Sequence, residues 1–143
     1  MEEPSIIKGG IHVDERGTLS FFNDFDMQHI KRFYIIEHNS EDTRRGWRAH
    51  KLEKRWFVVA EGEFVIVTVE LTDWNSPDVF AKQQSFYLKY AAGEILVIPP
   101  GYAFCLRAVV PNSKILVFAD GRIEDAAQDD YLFPLDYFIE NIS

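Results

Sequence analysis

Turn residues cut this chain into short pieces along nearly its whole length. They stand at Gly9-Gly10, Glu61-Gly62, Asn75-Ser76-Pro77, Ala92-Gly93, Pro99-Pro100-Gly101, Pro111-Asn112-Ser113 and Asp120-Gly121. Between them lie apolar, aromatic and β-branched runs too short for ordinary helices and without helical period. The pattern predicts strands over Ser5–Val13, Gly17–Asn23, Arg32–His38, Trp56–Ala60, Phe64–Leu71, Ser85–Tyr90, Ile95–Ile98, Phe104–Val110 and Lys114–Ala119. The run from Glu63 to Leu71 is the clearest, being mostly β-branched as a pleated, half-buried surface prefers. Two places carry a helical reading: Phe25–Ile30, long enough for one turn, and Ile123–Asp130, either a helix or an ordered tail. With no repeat, linker or low-complexity run, the expectation is an all-β sandwich or barrel forming a single domain over residues 1–143.

Composition narrows what such a domain does. Hydrophobic residues make up 47% and aromatic residues 15%, which excludes a disordered chain. Fifteen Lys and Arg stand against 23 Asp and Glu, a formal charge of -8, so neither nucleic acid nor an anionic membrane is an expected partner. An anionic small molecule in a locally basic pocket remains compatible with that charge. One cysteine, Cys105, rules out an intramolecular disulfide framework and fits a reducing compartment. The first residues lack the basic and apolar regions of a signal peptide. The longest uncharged stretch, Ile95 to Leu106, is broken by Pro99, Pro100 and Gly101 and is too short to span a bilayer. A cytoplasmic protein is the expectation.

Against the acidic background, Arg44 to Arg55 gathers Arg44, Arg45, Arg48, Lys51, Lys54 and Arg55 around His50. Charge runs are usually solvated loops. Here Gly46, Trp47 and Ala49 suit a loop poorly, and the run leads straight into apolar Trp56-Phe-Val-Val-Ala60. If the segment is extended, Arg48 and His50 share one face and Trp47 and Ala49 the other. A guanidinium beside an imidazole lowers its pKa and keeps it neutral, the form a general base requires. Arginine forks also bind a diphosphate bidentately. Alternation in Arg32–His38 places Arg32, Tyr34, Ile36 and His38 on one face. A tyrosine inside a small barrel is ordinarily a packed aromatic, and Tyr34 alone suggests no more. His12, His29 and His38 lack ligand spacing and read as structural or surface residues.

Together these segments resemble the cupin superfamily, whose fold is a small jelly-roll β-barrel. Its second motif runs Gly, five residues, Pro-x-Gly, two residues, His. Gly93, Pro99 and Gly101 fit that spacing, and Phe104 stands at the histidine. The first motif, His-x-His with a later glutamate and glycine, reads Arg48-Ala-His50 with Arg55 near the glutamate position and Gly62 at the glycine. With three of four ligand positions replaced, the resemblance implies a metal-free cupin. Within that superfamily the chain is most similar to the sugar-nucleotide 3,4-ketoisomerases acting on dTDP-4-keto-6-deoxyglucose, and more distantly to the 3,5-epimerases. The similarity runs through Asp14-Glu-Arg-Gly17, Arg32-Phe-Tyr-Ile35, Arg45-Gly-Trp-Arg-Ala-His-Lys51 and an acidic-aromatic tail from Gln128 to Phe138.

The resemblance implies an isomerase working by enediol proton transfer, with neither cofactor nor metal. His50 would be the base, Tyr34 the proton shuttle, and Arg45, with Arg48, the enolate stabiliser. Arg16, Lys51 and Arg55, together with Arg48, would hold the nucleotide-sugar substrate. Arg48 replaces the family's first histidine, where the 3,5-epimerases carry their base. The alternatives are a 3,5-epimerase-type enzyme and a non-catalytic sugar-nucleotide-binding cupin. Relatives form homodimers, so a second copy is an expected partner.

Overall fold

The burial pattern of the runs alternates as half-buried strands require. In Ser113–Ala119 the side chains of Ser113, Ile115, Val117 and Ala119 are buried, while the residues between them face outward. A computed structural model describes residues 2–139 of the chain. Among the described residues, twelve strands run in chain order: β1 Ser5–Lys8, β2 Gly10–Asp14, β3 Gly17–Phe21, β4 Arg32–His38, β5 Arg44–Ala49 and β6 Arg55–Glu61. They continue as β7 Glu63–Glu70, β8 Gln83–Lys89, β9 Glu94–Ile98, β10 Tyr102–Ala108, β11 Ser113–Ala119 and β12 Tyr131–Leu132. A 3₁₀ segment, Ile123–Asp129, precedes β12.

All pairings are antiparallel. One sheet has the order β1-β9-β6-β11-β4, the other β12-β5-β10-β7-β8, and β2 and β3 form a separate hairpin. The two large sheets close over a core of Phe57, Phe64, Ile66, Leu96, Ile98, Phe104, Leu106, Ile115 and Val117. Burying one such side chain contributes roughly 1.5–3 kcal/mol, so this layer is the main support of the barrel. The outer face of the second sheet is not left bare. Trp47, Ala49, Val69, Leu71 and Cys105 are covered there by Phe138, with Tyr131 and Phe133 from the same C-terminal segment. On the first sheet Trp56, Ile95 and Val97 are covered by Phe22, Phe25 and Ile30.

The all-β expectation holds, with differences in detail, among them the short strand β12, which lies in the acidic-aromatic tail. The run Ser5–Val13 divides into β1 and β2, because the Gly9 amide turns aside to donate to the Gly93 carbonyl at 2.7 Å. The basic segment supplies a full strand, β5, whose Trp47 and Ala49 are buried on its outer face. Residues Phe25–Ile30 hold only isolated turns, closed by the Phe25 amide on the Phe22 carbonyl and the Ile30 amide on the Met27 carbonyl. Of the two readings of Ile123–Asp130, the helical one is realised as the 3₁₀ segment.

Candidate active site

Between the sheets, a cavity of about 490 Å³ opens where β5 meets β4. Tyr34, Arg45, Arg48, Arg55, Phe57 and Phe104 are among the residues that line it. Gly46 lets β5 come this close to β10. It lies at φ +133°, and a Cβ there would stand 2.6 Å from the Phe104 carbonyl oxygen, where β10 breaks register between Phe104 and Leu106.

A buried network sits behind that wall. The Arg55 guanidinium donates through Nη1 to the Tyr34 hydroxyl at 2.6 Å and through Nε to Glu53 Oε2 at 2.5 Å. Arg32 Nη2 donates to Glu53 Oε1 at 2.7 Å, and Arg32 Nε to the Gly121 carbonyl at 3.2 Å. Glu53 is thus a buried carboxylate between two arginines, the condition under which a buried charge is tolerated.

His50 adjoins this network. Its Nδ1 lies 2.6 Å from the Asp129 carbonyl oxygen. A carbonyl can only accept, so Nδ1 carries the hydrogen and Nε2 keeps its lone pair. Nε2 is buried, 3.5 Å from Glu53 Oε2, and has no hydrogen-bond partner among the described residues. Burial, and then the Arg55 charge, hold the imidazole below its ordinary pKa; the Asp129 carbonyl and the Glu53 and Asp129 carboxylates act in the opposite direction. Burial and Arg55 thus favour the neutral ring, whose Nε2 is basic, buried and unpartnered. The Phe104 ring, 5.9 Å from the imidazole, lines the cavity beside it, and His50 also lines a second hollow of about 370 Å³ under the 3₁₀ segment.

The Asp129 carboxylate fixes this corner. Oδ1 accepts from the Lys51 amide at 2.8 Å, Oδ2 accepts from the Glu53 amide at 2.9 Å, and the Leu52 amide reaches both oxygens at 3.2 and 3.1 Å. One side chain therefore caps three consecutive amides of the turn after β5, while its own carbonyl orients His50.

The structure brings Tyr34, Arg45, Arg48 and Arg55 to one cavity, with His50 adjacent. Arg45 Nε donates to His38 Nε2 at 3.1 Å, so buried His38 is a structural support for Arg45. Arg48 Nε lies 3.0 Å from Asp130 Oδ1 as an ion pair without hydrogen-bond alignment. The cation that lowers the His50 pKa is Arg55, not the neighbouring Arg48. Lys51 stands apart from the cavity, its ammonium 5.1 and 5.0 Å from the rings of Trp74 and Tyr131. Arg16 is on the exposed hairpin, its Nη2 2.7 Å from Asp14 Oδ2. Glu53 and Asp129 were missed: Glu53 sits within the basic run as one acid among many charges, and Asp129 meets its amide partners across 76 to 78 residues. His38, read as a structural or surface residue, is the buried support of Arg45.

The family model "FdtA: WxcM-like, C-terminal" matches residues 3–143. The chain belongs to this family. Among solved structures, it is similar to a mutant of the 3,4-ketoisomerase QdtA from Thermoanaerobacterium thermosaccharolyticum in complex with TDP-4-keto-6-deoxyglucose. That match has 21% identity over 91% of this chain and 87% of the other, with a TM-score of 0.69. A 3,4-ketoisomerase from Helicobacter canadensis matches at 20% identity over 91% and 90%, with a TM-score of 0.67. The dTDP-4-dehydrorhamnose 3,5-epimerase of Bacillus anthracis, with TDP and PPi bound, matches at 17% over 89% and 76%, with a TM-score of 0.72. These likenesses establish the jelly-roll cupin fold. Among curated proteins, none matches the chain.

Proposed function

We propose that this FdtA-family protein is a sugar-nucleotide isomerase, moving the keto group of a dTDP-linked 4-keto-6-deoxy sugar to the adjacent carbon. The observation that carries the reading is a cationic cavity with the Tyr34 hydroxyl on its wall, held by Arg55, beside a histidine whose Nε2 is unpartnered. In this mechanism His50 Nε2 takes the proton from the carbon next to the carbonyl. The C–H electron pair becomes the double bond of an enediol, and the carbonyl oxygen takes up a proton. Tyr34 carries the proton between the two oxygens, and His50 returns its own to the former carbonyl carbon. Arg45 and Arg48 supply fixed positive charge where the enolate oxygen develops.

No metal is required. Of the positions where cupins hold their ligands, Arg48 and Phe104 offer no lone pair to one. The proposal includes a homodimer, supported by the apolar side chains of Val13 and Leu19 exposed on the β2–β3 hairpin. One observation favours a second reading, a binding-only cupin: Arg48 lines the cavity while His50 stands beside it.

Turnover of dTDP-4-keto-6-deoxyglucose by the parent protein and by His50→Asn, with TDP affinity measured in both, separates the readings. The isomerase requires turnover in the parent, lost by a factor of about 100 or more in His50→Asn, with TDP binding retained. Binding without turnover in the parent protein leaves the binding-only cupin.

A further inference from the structure

The turn between β5 and β6 buries an acid that the proposed reaction does not use. Glu53 has Arg32 from β4 on Oε1, Arg55 from β6 on Oε2, and the His50 Nε2 facing Oε2 at 3.5 Å. Each contact has a separate consequence. The Arg55 contact fixes the guanidinium whose other arm donates to Tyr34. The His50 contact puts a full negative charge beside the one nitrogen of that ring free to take a proton. The Arg32 contact, with its second bond to the Gly121 carbonyl, ties the carboxylate to the loop after β11. Gly121 lies so close to Glu53 that a Cβ there would stand 2.5 Å from Oε1, so the loop packs directly on the acid.

We propose that Glu53 is the positioning residue of this site. Its carboxylate clamps Arg55 onto the Tyr34 hydroxyl and stands ready to pair with the imidazolium formed when His50 accepts a proton. Glu53 does not itself exchange a proton. While His50 is neutral, the carboxylate is balanced by Arg32 and Arg55. When His50 Nε2 gains a proton, the same oxygen becomes its ion-pair partner, so charge appears in a buried corner without an unpaired partner. Four charged or polar influences face the imidazole: the Arg55 guanidinium disfavours the proton, whereas the Glu53 carboxylate, the Asp129 carboxylate and the Asp129 carbonyl favour it. Removing Glu53 leaves Arg55 opposed by Asp129 alone.

The role in catalysis rests on the isomerase reading; the charge pairing does not. The test is therefore a substrate-free NMR titration of the histidine ring signals, with His50 assigned by its loss in His50→Asn, in the parent protein and in Glu53→Gln. The proposal expects the His50 pKa to fall in Glu53→Gln. It also expects kcat to drop at least about tenfold with KM nearly unchanged, and the acid limb of the rate profile to move to lower pH. Glu53→Asp keeps the charge and restores part of kcat; if Glu53→Gln does not fold, a His50 pKa lowered in Glu53→Asp supports the pairing. A His50 pKa that is unchanged or raised in the folded variant overturns it. An inactive parent protein with the expected titration overturns the isomerase reading and leaves the pairing standing.

Discussion

Replacing Asp129 by alanine removes one carboxylate and deprives three backbone amides of their acceptor, those of Lys51, Leu52 and Glu53. Hydrogen bonds to a charged group are worth about 1.5–3 kcal/mol each, but two effects lower the sum. The buried charge no longer has to be desolvated, and the adjoining hollow of about 370 Å³ admits water to the freed amides. About 1 kcal/mol per amide remains, a total of about 3 kcal/mol. Unfolding entropy near 2.1 cal/mol/K per residue gives about 0.3 kcal/mol/K for 143 residues, so Tm should fall by roughly 10 °C. Asp129→Asn keeps the oxygen that serves Lys51 and Leu52 and turns an amide group toward Glu53, so it should cost about a third as much. Scanning calorimetry of the three proteins checks both numbers. A Tm for Asp129→Ala within about 2 °C of the parent would refute the account of this corner, as would Asp129→Asn being the more damaged variant.

Two further outcomes follow from the same geometry. His38 and His50 are both held below the ordinary histidine pKa, chiefly by burial, with Arg45 acting on the first and Arg55 on the second. The unfolded chain therefore binds protons that the folded chain declines once pH drops below about 6.5, and stability falls from there downward while these groups leave it flat above. Urea midpoints at pH 7.5 and 5.5 test the sign; a higher midpoint at pH 5.5 contradicts it. Arg48→Ala removes a guanidinium from the cavity wall and should weaken TDP binding about tenfold in calorimetric titration, whereas unchanged affinity would place the diphosphate elsewhere.

Much of this site was legible in the sequence because it depends on short-range periodicity. Two-residue alternation suffices to put Trp47 and Ala49 outside and Arg48 inside, and to aim Tyr34 at the same space, with His50 adjoining it. The basic run was harder to recognise as β5, because its charges mimic a solvated loop and its strand character comes from pairing with β10. Turn chemistry likewise located most strand ends.

What was not legible is the charge balance. Glu53 looks like one more surface acid in a charged stretch, and its burial depends on Arg32, 21 residues earlier, and on a loop near Gly121. Asp129 meets its amide partners across 76 to 78 residues. The sequence reading that placed a cation beside His50 was right in kind and wrong in residue. Arg48 is the neighbour in the chain, but Arg55, from the next strand, is the charge that acts on the ring.

The most direct test of the central claim is proton NMR of the purified protein with dTDP-4-keto-6-deoxyglucose in deuterated water. The isomerase predicts that the keto group migrates to the neighbouring carbon, and that the former carbonyl carbon receives the proton carried by His50, or deuterium where the imidazolium has exchanged with solvent before returning it. Deuterium entry without migration would indicate enolate chemistry of the epimerase kind. Bound ligand with neither exchange nor migration would contradict enzymatic proton transfer in this cavity altogether.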